Sequence, residues 1–272
     1  MTTTPDTRLL SELAADELPP GTLRVTRTIP TGVISYATHP GLRRGENQDH
    51  VAVVVGAEHT ALVLGDGVGS DPDGGGAALV AVEVAATTAA HTGYPLLACK
   101  VARSALEGKF EDDPSTTTLL IAVVSNEVLP TGAAAWVDVT WVGDSNAWAC
   151  DSANAVHRIT QPHNPPDDPH LILRHARRGD PELESLDLDD PNPVRRLLLC
   201  SDGLDGYVEE EAIAAILARA DTAERARDLL VQAALEAGGP DNVTVVVADI
   251  GPEEWGLKLD LGAVEAGAGA EG

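Results

Sequence analysis

The chain has 272 residues, with 43 Asp and Glu against 18 Lys and Arg, and a formal net charge of −25. Such a charge repels nucleic-acid backbones and anionic membrane surfaces at long range and excludes both as partners. No run of about eighteen apolar residues exists, and the start Met1-Thr2-Thr3-Thr4-Pro5-Asp6 lacks the basic and apolar regions of a signal peptide, so the cytoplasm is the default location.

Residues 1–30 are polar and carry prolines, with one weakly amphipathic run from Leu9 to Leu18, and read as a flexible extension. Short β-branched or apolar runs at 32–38, 50–55 and 60–66 read as strands, and their tight spacing implies antiparallel pairing. After Gly74-Gly75-Gly76 the chain turns alanine-rich and proline-free to about residue 92. Residues 96–106 continue in that style behind Pro95, which suits a helix start, giving two helices packed on a sheet.

Strands are expected again at 117–124, 134–142, 147–150 and 155–159. In the second of these Trp136, Asp138 and Thr140 alternate with Val137, Val139 and Trp141, the period of a strand whose two faces differ. A strand at 195–201, helices at 209–218 and 222–237 and a strand at 243–250 follow. No linker divides the middle, so one domain spans 31–251, and the tail 252–272 is too poor in apolar bulk to fold alone. Paired helices among antiparallel strands suggest an α+β fold with two sheets packed face to face and helices outside.

Cys99, Cys150 and Cys200 are an odd set without C-x-x-C spacing, which argues against a disulfide framework and a zinc site and for reduced core residues. His163, His170 and His175 fall in or beside the Pro-rich stretch from Gln161 to His170 and read as exposed loop residues.

The chemistry lies in four aspartates, each at the end of an apolar run beside a glycine or small residue: Gly65-Asp66-Gly67, Gly143-Asp144-Ser145, Ser201-Asp202-Gly203 and Pro240-Asp241-Asn242. Strand ends can converge, and oxygen donors without histidine or cysteine suit magnesium or manganese. A fifth element, Arg44-Gly45-Glu46-Asn47-Gln48-Asp49, runs straight into the strand at 50–55.

Arg44-x-x-Asn47-Gln48-Asp49, Gly65-Asp66-Gly67-Val68-Gly69, Gly143-Asp144-Ser145, Ser201-Asp202-Gly203-Leu204 and Asp241-Asn242, in that order, resemble the signatures of the metal-dependent protein phosphatases of the 2C type in their bacterial form. The resemblance spans about residues 31–250. It implies an α-β-β-α sandwich of two mainly antiparallel sheets, and hydrolysis of phosphoserine and phosphothreonine on a phosphorylated protein substrate. The alternative is a pseudophosphatase that docks phosphoproteins without turning them over. A monomer is the default expectation.

The resemblance implies two core ions, manganese or magnesium, and a third, weaker one. Two such ions about 3.5–4 Å apart can share and activate one water. Asp66 would bridge them, with the backbone of Gly67 turned toward metal, and Asp202 and Asp241 would complete the first ion's ligands. Asp144 with Asp202 would hold the third ion, and Asp49 would act directly or through water. Arg44 and Asp66 form the implied catalytic pair, Arg44 holding two phosphate oxygens through its planar guanidinium. Asn242 would support the turn that presents Asp241 by bonding local backbone.

The chain departs from the family pattern at four places. Val68 replaces a histidine or methionine, Ser115-Thr116-Thr117-Thr118 replaces Gly-Thr-Thr, and Asn146 stands where arginine is usual. The stretch between Thr160 and Gly179 is short and Pro-rich where a helical flap over the cleft is expected.

Overall fold

The computed structural model describes residues 19–251 apart from 69–72, 133, 166, 168–170 and 188–191. The run Leu9–Leu18, the tail 252–272, Gly69 and His170 lie outside the described residues. Among the described residues, eleven strands form two sheets in which every pair is antiparallel. The first holds β1 (Leu23–Ile29), β2 (Gly32–His39), β7 (Asn146–Asp151), β8 (Val156–Arg158), β10 (Val194–Cys200) and β11 (Val243–Ile250), in the order β1-β2-β11-β10-β7-β8. The second holds β3 (Asp49–Val55), β4 (His59–Asp66), β5 (Leu119–Ser125), β6 (Trp136–Val142) and β9 (Glu182–Asp187), in the order β3-β4-β5-β6-β9.

Helices cover both outer faces, so the central strands are apolar on both sides. In β10, Leu197 and Leu199 pack between the sheets with Ile34, Leu62, Leu120 and Val246. Leu198 and Cys200 turn outward to a layer built from α4 (Glu210–Arg219) and α5 (Ala223–Glu236). On the other side Ala61, Val63, Ile121 and Val123 meet α1 (Gly74–Thr92) and α2 (Pro95–Lys109). The small side chains Ala77, Ala81, Ala85 and Ala89 form one buried stripe of α1 and let the helix lie close to the sheet.

The helix ends follow their sequence signals. Asp73 caps α1 by accepting from Gly76 N–H at 2.9 Å, and Gly93, at φ 74°, closes it in the left-handed region. Pro95 stands in the first turn of α2, as expected. The alternation in β6 also holds, with Val137, Val139 and Trp141 packed between the sheets. All three cysteines are free and buried.

Three elements differ from the sequence reading. Residues 23–29, expected within the flexible extension, form β1, an edge strand paired with β2 from Leu23↔Thr38 to Ile29↔Gly32. Its exposed Arg24 and Arg27 belong to an edge guarded by charge, a pattern without an apolar run. The edge strand β9, equally polar, was not expected, nor was α3 (Asp202–Asp205), a single turn directly after β10.

Candidate metal centre

The predicted site residues sit at one end of both sheets because successive antiparallel strands alternate in direction. At that end β2 stops at His39, β10 stops at Cys200, and β11 and β7 begin at Val243 and Asn146, with His39 facing Val243 and Cys200 facing both Val245 and Asn146. In the second sheet β3 begins with Asp49 and β4 ends with Asp66, and the two are direct cross-strand partners. Asp144 follows β6, Asp202 opens α3 and Asp241 precedes β11. A cleft of about 390 Å³ is lined by Arg44, Asp66, Gly67, Asp144, Asp202 and Asp241 among others.

Each carboxylate is fixed by the loop that carries it. The Asp66 peptide is clamped by the threonine run: its N–H donates to Thr118 Oγ1 at 3.0 Å, and its carbonyl accepts from Thr117 Oγ1 and Thr118 N–H, both at 2.8 Å. The hydroxyls of Thr117 and Thr118 therefore orient the backbone of the bridge candidate. Asp49 Oδ2 accepts from Ser201 Oγ at 2.8 Å, and Ser201 Oγ in turn accepts from Thr244 N–H at 3.0 Å. Asp49 Oδ1 is buried without a hydrogen-bond partner among the described residues.

Asn242 does more than support its own turn. It donates through Nδ2 to Pro40 O and Glu46 O, each at 2.8 Å, and accepts from Gln48 N–H at 2.8 Å through Oδ1. It thereby staples the Arg44 loop to the Asp241 loop, a long-range role in place of the local one expected. Gly203 permits the same closeness from the other side, since a Cβ there would lie 1.8 Å from Asn242 O.

Burial is the largest force on the carboxyls, and their mutual repulsion adds to it. Asp49 is pushed up to about 6 by burial, against the hydrogen bonds from Thr244 and Ser201. Asp66 rises well above the ordinary carboxylate range through burial and then the charges of Asp49, Asp202 and Asp144. Asp202 rises likewise, through burial and then Asp144 and Asp241. Behind the cleft, Asp144 and Asp202 also border a second cavity of about 450 Å³, which Asn146, Asn164, Asp205 and Tyr207 help to line. Asp205 Oδ2 is buried without a hydrogen-bond partner among the described residues, and burial pushes its carboxyl up to about 7 against the amide of Asn146.

Two residues behave differently from expectation. Arg44 Nη2 bonds Asp241 Oδ2 at 2.6 Å, so the phosphate-clamp candidate holds a candidate metal ligand. His163, read as an exposed loop residue, is buried, with Nδ1 accepting from Gly143 N–H at 3.0 Å. Asn146 fills part of the expected arginine's place, its Nδ2 donating to Asp144 O and its Oδ1 accepting from Thr160 Oγ1.

The donor set fits hard divalent cations: oxygens only, crowded, raised in pKa by one another, with a buried Asp49 oxygen unmatched. As placed, no three acidic, histidine or cysteine side chains among the described residues enclose an ion, and Asp241 is held by Arg44.

Comparison with known proteins gives one family. The sequence profile described as "Protein phosphatase 2C" matches residues 42–237. The serine/threonine protein phosphatase PstP of Mycobacterium tuberculosis is 43% identical over 89 residues, a match covering 33% of this chain but only 14% of PstP. The catalytic domain of PstP, solved in complex with two manganese ions, superposes with TM-score 0.65 at 27% identity, covering 85% of this chain and all of that one. The PPM Ser-Thr phosphatase MsPP of Mycobacterium smegmatis, solved with cacodylate, gives 0.66 at 26% identity over 80% of this chain and 98% of its own. Stp1 of Staphylococcus aureus, at 24% identity and TM-score 0.69 over 83% and 99%, adds agreement in fold.

Proposed function

This chain belongs to the protein phosphatase 2C family, and from that premise we propose that it hydrolyses phosphoserine and phosphothreonine on proteins in a metal-dependent reaction. The observation that carries the reading is the convergence of five aspartates, from five separate motifs, at one end of two sheets, with Asp49, Asp66 and Asp202 raised in pKa by burial and by neighbouring carboxylates. Manganese, as in the PstP catalytic domain, or magnesium would supply the positive charge that activates a water and neutralises the phosphate.

Asp66, with the Gly67 backbone, would be the ligand shared by two ions; Asp202 and Asp241 would complete that core, Asp49 would support it directly or through water, and Asp144 with Asp202 would hold a third ion. Arg44 has the reach and planarity to bind two phosphate oxygens, and in doing so it leaves Asp241. The exchange is reciprocal, since a cation at Asp241 and a phosphate at Arg44 each replace the charge that the other residue supplies now. Val68 carries no acidic proton, so the leaving alkoxide takes its proton from water.

No helix among the described residues is long and apolar enough to cross a membrane. We place the protein in the cytoplasm, as a monomer acting on phosphoproteins. Purified protein assayed on an aryl phosphate and on a phosphothreonine peptide, with manganese and with chelator, tests the proposal. Turnover of both substrates, abolished by chelation, is expected. A phosphoprotein-docking module would turn over neither.

A further inference from the structure

The Pro-rich stretch that replaces the expected flap reaches back to the Asp144 corner through side chains that no motif marks. His163 and Gly143 are joined twice: His163 N–H donates to Gly143 O at 2.9 Å, and Gly143 N–H donates to His163 Nδ1 at 3.0 Å. With Nδ1 accepting, the proton of the neutral ring sits on Nε2, which faces Glu182 Oε1 at 3.1 Å. The same Glu182 oxygen accepts from Arg174 Nη1 at 2.9 Å, and the imidazole stacks on Trp141 with ring planes 14° apart. His163 is thus held on three sides and cannot turn without breaking its bond to Gly143.

One residue further on, Asn164 Nδ2 donates to Asp144 Oδ2 at 3.0 Å. The peptide that leads into Asp144 is fixed as well. Gly143 lies at φ 119°, a Cβ there would stand 2.6 Å from Thr118 Cβ, and Asn146 Nδ2 holds Asp144 O at 2.9 Å. Backbone and carboxylate of Asp144 are therefore gripped by different groups, Asn146 at the carbonyl and Asn164 at the carboxylate.

We propose that Asn164, seated by His163, is a positioning residue for Asp144. It fixes the rotation of the carboxylate and so sets the affinity for the weakly held divalent cation between Asp144 and Asp202. The inference rests on the third-ion reading of Asp144. Hydrogen-bond partners of ligating carboxylates orient them and are worth about 10- to 100-fold in metal affinity or activity.

The test is a calorimetric manganese titration of the full chain, with thermal unfolding of each variant in chelator. Asn164→Leu removes the donor at similar volume, and Asn164→Ala takes its place if the first does not fold. Either should weaken the weakest ion about ten-fold or more, leave the two tight ions unchanged and keep the unfolding midpoint within a few degrees. Asp144→Ala, run beside them, should erase the weakest ion. If Asp144→Ala keeps all three ions, the third-ion reading itself fails. If Asp144→Ala erases the weak ion while the Asn164 variants bind it as tightly as the parent, the positioning role alone is overturned. Equal loosening of all three ions, or a collapsed midpoint, would also overturn it by showing a merely structural role.

Discussion

Among the described residues that bury carboxylates, two regions treat them in opposite ways. On the helix-facing side of the first sheet, Asp249 of β11 meets the fully buried Arg196 of β10 through two parallel bonds, Nε to Oδ1 at 2.5 Å and Nη2 to Oδ2 at 2.9 Å. The remaining nitrogen of Arg196 donates to Leu217 O and Ala220 O at the end of α4, both at 2.8 Å. At the strand ends, Asp49, Asp66, Asp144, Asp202 and Asp241 face one another with Arg44 as the one guanidinium joined to any of them by a salt bridge among the described residues. Charge buried for folding is matched atom by atom. Charge gathered at the strand ends is left in deficit, and on the proposed function that deficit is what would attract cations.

Breaking each region should therefore have opposite signatures. The largest expected effect is on activity: Asp66→Asn removes several kcal/mol of metal-borne charge stabilisation, on the order of a thousand-fold in rate. The same change relieves crowding and should raise the unfolding midpoint of the metal-free protein. Rates on an aryl phosphate and melting in chelator check both, and near-parental turnover would remove Asp66 from the bridge.

Next in size, Arg196→Leu strands Asp249 and should cost about 3–5 kcal/mol of stability while leaving turnover per folded molecule intact. Denaturant unfolding reads the loss, and replacing both partners, Arg196→Met with Asp249→Leu, should restore most of it. A mild Arg196→Leu would mean that the pair is not the anchor described.

Arg44 joins the two behaviours. Arg44→Ala should lower kcat/KM about 10- to 100-fold, the worth of hydrogen bonds to a charged group. Because the 2.6 Å bond to Asp241 is lost with it, metal binding should tighten slightly. A purely phosphate-directed arginine would leave the metal titration unchanged, and calorimetry separates the two.

A last effect is in the pH dependence. Asp49 at about 6 and Asp205 at about 7 keep protons in the folded, chelated protein that the unfolded chain releases near 4. The folded state binds more protons between those values, so stability falls as pH rises from about 4 to 7. Asp205→Asn should flatten the upper part of that fall. A midpoint that climbs over this interval would contradict the burial of both groups.

Much of this was legible in the sequence, for physical reasons that also set its limits. Motifs such as Leu64-Gly65-Asp66-Gly67 couple an apolar run to a polar stop, so they show both strand and site. The rim was readable because each carboxylate ends an element. The strand β1 was missed because an edge needs no continuous apolar run, although the two-residue connection Pro30-Thr31 before Gly32 was an available hairpin signal. His163 was misjudged because proline content describes local backbone, while its partners Gly143 and Glu182 lie about twenty residues away on either side. Asn242 and Arg44 were singled out from their own short motifs, yet the loops they join are nearly two hundred residues apart.

The position of β11 has a consequence for how the protein is made. The last strand of the domain lies inside its sheet, between β2 and β10, so β2 emerges from the ribosome about two hundred residues before its inner neighbour. At about 5–20 residues per second that is a wait on the order of 10–40 s. Asp241, carried on the lead into β11, arrives with it. A growing chain thus owns four of the five carboxylates but not the strand that closes the rim, and on the proposed function it would gain catalytic competence only once β11 has been translated.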